Sequence, residues 1–128
     1  CAARFGVPLK MPTDFPINTL SLMRGAAGIQ LRHPRELPRY LTVVFEGVFA
    51  RGLAMGDPAV VTKVLADAGF DPAEFLALTS DPEVKQALLA TTEEAVARGV
   101  FGAPTMFVGE TLHFGQDRLD FVIDALRA

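Results

Sequence analysis

The sequence contains only one cysteine, Cys1, among 128 residues. A single cysteine can form neither an intrachain disulfide nor a Cys-x-x-Cys pair, and it cannot supply the ligands of a cysteine-rich zinc site. This scarcity argues against a disulfide-stapled secreted scaffold and fits a reducing, cytoplasmic location. We therefore expect no metal site in this chain, and we interpret Cys1 as incidental.

The sequence also lacks an excess of basic residues and any long hydrophobic run. Twelve lysines and arginines against fifteen aspartates and glutamates give a net charge of -3, which argues against a nucleic-acid partner. The longest wholly apolar runs extend over only a few residues, so we expect no membrane-spanning helix. Half of the residues are nevertheless hydrophobic, which is enough for one domain with a real core.

Prolines and helix-capping residues indicate most of the secondary structure that the sequence predicts. Residues 4–17 are predicted to be an extended connector, because closely spaced prolines prevent helical hydrogen bonding. Several helices are predicted to follow this connector. The first helix has Asn18 as its N-cap and ends near Arg32, and a second helix begins near Pro38, whose fixed φ suits a first turn.

Three Asp-Pro pairs predict three further helices. In each pair the aspartate can cap the free N–H groups, while proline occupies the first helical position without losing a hydrogen bond. The pairs are Asp57-Pro58, Asp71-Pro72 and Asp81-Pro82, and the predicted helices are 58–68, 72–79 and 82–98. In the first helix, Gly25 and Gly28 allow close packing against a neighbouring element.

Only one stretch has the period of a β-sheet. Residues 105–108 and 111–113 flank Gly109-Glu110, and a two-residue loop with glycine first predicts a type II′ hairpin. A final helix is predicted over 117–127. Because a lone two-stranded sheet is marginal in water, we expect the domain to lack part of its sheet, with its N-terminal portion missing from this chain.

Pro104 marks the first candidate site, because it stands directly before a strand, where proline is normally excluded. Its small neighbours, Gly102 and Ala103, predict a cis Ala103-Pro104 bond that turns the chain into the strand. Such a bend would leave the N–H and C=O of Ala103 free to pair with an extended peptide. A purely structural turn at Pro104 is the alternative.

Gly115, Gln116 and Asp117 mark the second candidate site, at the start of the last helix. Free N–H groups and the positive end of the helix dipole favour a carboxylate there, and Asp117 can bind an ammonium group. The two sites together suit a small peptide that carries both an amine and a carboxylate. A plain helix cap is the alternative for Asp117.

The runs that carry this chemistry resemble one family. EAVARGVFGAPTMFV, from Glu94 to Val108, and FGQDRLDFV, from Phe114, resemble the 2-hydroxychromene-2-carboxylate isomerases. These belong to the kappa-class glutathione transferase branch of the DsbA-like thioredoxin superfamily. The connector GVPLKMPTDFPINTL, from Gly6 to Leu20, also resembles their entry into the helical domain. The resemblance covers essentially the whole chain and matches the C-terminal portion of the family.

The resemblance implies an α/β, thioredoxin-like fold with an inserted all-helical domain. In this chain it implies a mostly helical structure with one C-terminal β-hairpin, whose N-terminal βαβ half is missing. Residues 1–12 would be a connector and 13–98 the helical insertion. Residues 99–128 would be the C-terminal part of the thioredoxin-like domain, with the cis-proline, the hairpin and a helix.

The resemblance also implies glutathione as the cofactor. Ala103, before cis-Pro104, would pair with the cysteinyl backbone of glutathione. Four residues would hold its γ-glutamyl end: Phe114, Gly115, Gln116 and Asp117. Asn18 falls where the family has an asparagine that faces the substrate.

The implied activity is a glutathione-dependent isomerisation of aromatic catabolites, a cis–trans rearrangement that uses the glutathione thiol. The substrate would be a small aromatic carboxylate, and the enzyme would be a cytoplasmic homodimer. In the family a serine in the first strand-to-helix turn activates the glutathione sulfur, and no segment of this chain matches that turn. We therefore assign no catalytic residue here and expect the fragment alone to be inactive.

Two other functions stay open at this point. A DsbA-like thiol-disulfide oxidoreductase would need a Cys-x-x-Cys pair, which this chain does not contain. A non-catalytic helical or peptide-binding module would use the edge at Pro104 only to dock a partner strand.

Overall fold

A computed structural model describes residues 6–12 and 15–127 of the chain. Its internal contacts divide the chain into two compact units, Cys1–Leu89 and Ala90–Ala128. This division falls inside the longest helix, whereas the sequence placed the end of the helical domain at residue 98. The three-part division at residues 12 and 98 stays a prediction.

Helices make up most of the described chain. Their bounds are Leu20–Arg32 for α1, Leu37–Phe45 for α2, Pro58–Asp67 for α3, Pro72–Ser80 for α4, Pro82–Ala97 for α5 and Leu119–Arg127 for α6. Short 3₁₀ turns at Pro34–Glu36 and Gln116–Arg118 precede α2 and α6, and a π-helical turn, Glu46–Ala50, extends α2. The strands are β1, Thr105–Val108, and β2, Thr111–Phe114. In the described part of the chain, no helix is both long and apolar enough to cross a membrane.

The Asp-Pro pairs begin α3, α4 and α5, as predicted. Asp57, Asp71 and Asp81 each accept a hydrogen bond from the backbone N–H two residues later, at 2.8 Å in all three cases. Each proline occupies a helical position whose N–H would have no partner within the helix. The capping role of the three aspartates is confirmed.

The start of α1 differs slightly from the prediction. The helix begins at Leu20, and Thr19 occupies the N-cap position without a side-chain hydrogen bond. Asn18 still serves the helix start, because its Oδ1 accepts the N–H of Leu20 at 3.0 Å. The capping residue is therefore Asn18, as predicted, but it stands one residue before the N-cap position, which Thr19 occupies.

The first unit is held by apolar side chains between its helices. The buried set is Leu22, Ile29, Tyr40, Val44, Val48, Met55, Val61, Val64, Leu65, Phe75, Leu78 and Val84. The two glycines of α1 allow its close approach to α4, as predicted. A Cβ at Gly28 would lie 2.9 Å from the Cβ of Leu78, and one at Gly25 would lie 2.5 Å from Phe75.

The second unit contains the predicted hairpin. β1 and β2 are antiparallel, with Thr105 opposite Phe114 and Val108 opposite Thr111 around the two-residue turn Gly109-Glu110. Gly109 has φ +57°, and none of the described non-glycine residues has a positive φ. This pattern fits a type II′ turn, since type I′ needs positive φ at both central residues.

The last helix begins later than predicted. Residues 116–118 form a 3₁₀ turn, so the α-helix α6 starts at Leu119. It contacts β1, yet Phe121 and Leu126 are 56% and 71% exposed. A two-stranded sheet cannot cover the apolar stripe of this helix.

Candidate functional site

One backbone hydrogen bond brings the two predicted site segments together. The N–H of Gly115 donates to the carbonyl oxygen of Pro104 at 2.9 Å. It continues the β1–β2 ladder by one step beyond the pair formed by Thr105 and Phe114. Ala103 and Pro104 therefore lie beside the turn that begins at Gly115, within a single compact unit.

The backbone of Ala103 is exposed at this edge. Among the described residues, none is hydrogen-bonded to its N–H or C=O. The Ala103–Pro104 peptide bond is cis. The hydroxyl of Thr105 donates to the carbonyl oxygen of Gly102 at 2.6 Å and ties the preceding turn to the first residue of β1. An extended peptide has a donor and an acceptor to pair with at Ala103.

Gly115 shapes the second segment. Its φ of +106° and ψ of 147° belong to a region that is essentially reserved for glycine. A Cβ at this position would lie 2.5 Å from Oδ1 of Asp117, so the carboxylate of Asp117 is folded back over Gly115. Only a residue without a side chain permits that arrangement.

The N-terminal end of the Gln116–Arg118 turn has free donors and a nearby carboxylate. In the described residues the N–H groups of Gln116 and Asp117 have no backbone partner, and no side chain caps the turn. The side chain of Asp117 is 71% exposed, and its only ion-pair partner in the part of the chain that the structure describes is Nε of Arg118, at 3.9 Å. The free N–H groups can donate to a carboxylate, and the Asp117 carboxylate beside them can accept from an ammonium group.

Phe101 is a neighbour of this site that the sequence did not reveal. Its ring centroid lies 4.6 Å from that of Phe114, and the rings are tilted by 50°. Gly102 makes this contact possible, because a Cβ there would lie 2.6 Å from the ring of Phe114. The sequence feature that could have indicated this neighbour is the Phe101-Gly102 step directly before Ala103-Pro104.

Asn18 belongs to the other compact unit. Its side chain caps α1, and a groove of about 320 Å³ lies beside it, lined by Ile17 and Thr19 among others. The remaining lining is Phe15, Pro16, Leu22, Met23, Val44, Phe45, Val48 and Phe49. The groove is almost wholly apolar.

The family of the chain follows from its sequence. Residues 1–127 match the DSBA-like thioredoxin domain. The chain belongs to this family. Its fold is accordingly the DsbA-like thioredoxin fold, mostly helical and with a small two-stranded sheet in the described residues.

The chain is also similar to individual proteins that carry functional names. The chain is 27% identical over 121 residues to "2-hydroxychromene-2-carboxylate isomerase" of Sphingobium xenophagum, covering 94% of this chain and 60% of that protein. It is 32% identical over 137 aligned positions to "Glutathione s-transferase kappa 2" of Caenorhabditis elegans, covering 98% of this chain and 61% of that protein. The chain thus spans about three fifths of the length of these relatives.

A solved structure of a 2-hydroxychromene-2-carboxylate isomerase is also similar. It superimposes with a TM-score of 0.79 at 28% identity, over 98% of this chain and 60% of that one. Because the family match extends over residues 1–127, a missing N-terminal half is not confirmed, and that expectation stays a prediction.

Proposed function

We propose that this chain holds glutathione for an isomerase of small aromatic carboxylates, similar to 2-hydroxychromene-2-carboxylate isomerase. One observation supports the proposal: the hydrogen bond from Gly115 to Pro104 brings the unpaired peptide edge of Ala103 next to a turn whose first N–H groups have no partner among the described residues. Glutathione is a tripeptide whose backbone can pair with such an edge and whose carboxylate can bind to such N–H groups. Similarity to proteins named as such isomerases and as kappa-class glutathione transferases supports this assignment.

The residues present fit glutathione by their donors and acceptors. Ala103 would pair its N–H and C=O with the cysteinyl residue, next to Pro104. The N–H groups of Gln116 and Asp117 would bind the γ-glutamyl carboxylate, and the carboxylate of Asp117 would bind the γ-glutamyl ammonium group. When bound, glutathione would supply the thiol that the isomerisation needs.

Asn18 and the groove beside it would receive the substrate. The groove is lined by aromatic and aliphatic side chains, including Phe15, Phe45 and Phe49, which suit an aromatic ring. The side-chain amide of Asn18 keeps donor capacity, because its oxygen is the atom that caps α1. That amide would donate to the substrate carboxylate.

The group that activates the thiol is not assigned to any residue of this chain. Residues 1–128 hold no matching serine turn, so we expect them to bind glutathione without turning over substrate. The complete activity, in a cytoplasmic homodimer, is part of the same proposal and would require chemistry that residues 1–128 do not supply.

Nuclear magnetic resonance with the ¹⁵N-labelled chain tests the proposal. Glutathione at millimolar concentration should shift the amide signals of Ala103, Gly115, Gln116 and Asp117, while amides near Asp57 in the other unit stay unchanged. A methyl ester of the glutamyl carboxylate is the matched control ligand and should bind more weakly. Unchanged signals at Ala103 and Gly115–Asp117 would remove the basis for a glutathione site.

The DsbA-like family name favours one second candidate, a thiol-disulfide oxidoreductase. That activity requires a Cys-x-x-Cys pair, and the chain has only Cys1.

The other alternative is the non-catalytic peptide-binding module. An unrelated extended peptide that shifts the amide signal of Ala103 but not those of Gly115–Asp117 would favour it.

A further inference from the structure

The first unit has a second concave surface besides the apolar groove next to Asn18. It is a cavity of about 250 Å³ between α1, α2, α3 and α4. Leu22, near the start of α1, lines the groove, whereas Ile29, in the second half of the same helix, lines the cavity. These two positions lie about 10 Å apart along the helix axis. The described residues that line the cavity and the groove have no member in common.

The buried part of the cavity wall is apolar. Tyr40 and Leu65 are 1% and 0% exposed. The hydroxyl of Tyr40 donates to the carbonyl oxygen of Leu22 at 2.8 Å, so its ring is what remains for apolar contact. The centroid of this ring lies 5.9 Å from that of Phe70 in an edge-on arrangement. Such a wall can bury a hydrocarbon chain or an aromatic ring. Its apolar members are Ile29, Tyr40, Leu65, Phe70, Phe75 and Leu78.

The remaining wall is partly exposed and carries an excess of negative charge. Three carboxylates line it against one guanidinium, and a protonated His33 would reduce this excess without removing it. The guanidinium of Arg39 is already engaged, because its Nε donates to Oε2 of Glu36 at 2.7 Å and its Nη1 donates to the carbonyl oxygen of Ala68 at 2.9 Å. The two other carboxylates, those of Asp71 and Glu74, therefore hold the excess charge.

Asp71 and Glu74 keep acceptor capacity. Oδ1 of Asp71 accepts the N–H of Ala73, and Oε1 of Glu74 lies 2.7 Å from Nε2 of His33. The second oxygen of each carboxylate has no hydrogen-bond partner among residues 6–12 and 15–127. The two residues are three positions apart at the start of α4, a spacing that places side chains next to each other.

The helix termini at the cavity do not cancel this charge. Two helices, α1 and α3, end beside it, and two others, α2 and α4, begin beside it. The partial charges of helix ends are opposite in sign and about half a unit each, so these four contributions offset one another. The carboxylates of Asp71 and Glu74 therefore determine the sign of the field.

We propose that this cavity binds a small organic ammonium ion. The hydrocarbon or aromatic body of the amine lies against the apolar wall, and its ammonium group donates to Glu74 and Asp71. The volume suits one ring with a short chain, because drug-sized ligands occupy pockets from roughly 300 Å³ upwards. A neutral molecule of the same shape lacks the ionic contact, and a carboxylate meets charge of its own sign. The site is additional to the proposed glutathione and substrate sites and does not depend on them.

Nuclear magnetic resonance titration of the ¹⁵N-labelled chain with 2-phenylethylamine tests this proposal. At constant ionic strength, the amine should shift the amide signals of Gly69 and Glu74 with a Kd on the order of 1 mM, and leave that of Met23, in the groove, unchanged. 2-Phenylethanol is the matched neutral ligand and should bind about fivefold more weakly, the range of one exposed ion pair. 3-Phenylpropanoate should not shift the Gly69 and Glu74 signals.

One substitution tests the role of the charge. Glu74→Gln should weaken binding of 2-phenylethylamine about threefold to fivefold and leave binding of 2-phenylethanol unchanged, since the amide keeps an oxygen for His33. Glu46→Gln is the matched control, because it removes one negative charge from the same unit at an exposed residue outside the cavity wall. The control should change neither affinity.

A measurement on the unaltered chain covers the case in which Glu74→Gln fails to fold. Nuclear Overhauser effects should connect the ring protons of bound 2-phenylethylamine with the ring protons of Tyr40 or Phe75. Failure of the amine to shift Gly69 and Glu74 would overturn the proposal. Equal binding of 2-phenylethylamine and 2-phenylethanol, or ligand contacts confined to the groove, would overturn it as well. None of these results would alter the glutathione proposal, whose reporter signals lie in the second unit.

Discussion

Gly115 donates its backbone N–H to the carbonyl oxygen of Pro104 at 2.9 Å, one step beyond the last strand pair of the hairpin. The bond links a segment that precedes β1 with a segment that follows β2. Neither segment alone would define a binding site, because a single turn has many structural roles. Their connection places the N–H groups of Gln116 and Asp117 beside the unpaired peptide edge of Ala103.

We expect Gly115→Ala to damage the site more than an ordinary glycine substitution. An alanine there must adopt φ +106° and also displace the carboxylate of Asp117, which lies 2.5 Å from the position of the new Cβ. Gly99→Ala is the matched control, because Gly99 has φ +83° with nothing within 4 Å of a new Cβ. The control should lose about 1–2 kcal/mol of unfolding free energy, the cost of left-handed backbone in a non-glycine residue.

Denaturant unfolding and glutathione titration of the two variants check this expectation. Gly115→Ala should lose more unfolding free energy than Gly99→Ala, and it alone should weaken glutathione binding. Equal losses of stability together with equal, unchanged affinities would contradict the steric argument and the placement of the γ-glutamyl group.

Some of the fold could be predicted because the responsible contacts are local. Asp57 and Asp71 cap helices through the N–H two residues later, and the Gly109-Glu110 turn fixes the register of its own strands. Such hydrogen bonds depend on a few consecutive residues, so residue type and spacing are enough to predict them.

The features of the fold and of the candidate site that could not be predicted depend mainly on contacts between residues that are distant in sequence. Phe101 meets Phe114 only because the hairpin folds one back towards the other, and no local rule selects that pair. The N-cap position of α1 was predicted one residue too early, at Asn18 instead of Thr19, since both are acceptable N-cap residues and only the backbone decides between them. The two segments of the candidate site could be predicted, while the contact between Phe101 and Phe114 could not.

We expect Asp117→Asn to weaken glutathione binding by about fivefold to tenfold, the loss expected when a charge-assisted hydrogen bond to an ammonium group becomes a neutral one. The side chain is 71% exposed, so the loss should shrink as ionic strength rises. Asp124→Asn, on α6 of the same unit, changes the net charge equally and should leave the affinity unchanged. An equal effect of both substitutions would mean that Asp117 acts only through the overall charge.

Tyr40 provides a test of packing in the first unit that needs no ligand. Its side chain is 1% exposed and its hydroxyl donates to the carbonyl oxygen of Leu22 at 2.8 Å. Burial raises the pKa of Tyr40 above its ordinary value of 10.0, because the phenolate would lose its hydration. The raised pKa means that the folded state favours the neutral phenol. The resulting stability is fully present below pH 10.0 and is lost as the pH rises from there through the folded-state pKa.

The single tyrosine of the chain, in the absence of tryptophan, makes this titration directly visible. Ultraviolet absorbance of the phenolate should appear only well above the ordinary range in the native chain and near pH 10.0 in the denatured chain. Tyr40→Phe should remove both the signal and this part of the alkaline loss of stability. Native and denatured chains that titrate together would refute the burial of Tyr40 in solution.

The ion pair between Arg32 and Asp81 predicts the opposite dependence, at acid pH. The N–H of Glu83 lowers the pKa of the Asp81 carboxyl, and the guanidinium of Arg32, 3.2 Å away, lowers it further. A lowered pKa means that the stability is present above the ordinary value of 3.8 and is lost as the pH falls through the folded-state pKa. The pair is solvent-exposed, so we expect a modest effect that weakens with salt.

A double-mutant cycle isolates this ion pair from the other contacts of the same residues. Asp81→Asn keeps a capping side chain while removing the charge, and Arg32→Leu removes the guanidinium, which also pairs with Glu83. Denaturant unfolding of the wild type, both single variants and the double variant should give a favourable coupling between positions 32 and 81 at neutral pH. The coupling should vanish once the pH is below the folded-state pKa of Asp81, because the carboxyl is then neutral. Coupling that is already absent at neutral pH would show that the Glu83 N–H stabilises the charged carboxylate without Arg32. Coupling that persists unchanged in acid would show that positions 32 and 81 interact by a contact that does not depend on the Asp81 charge.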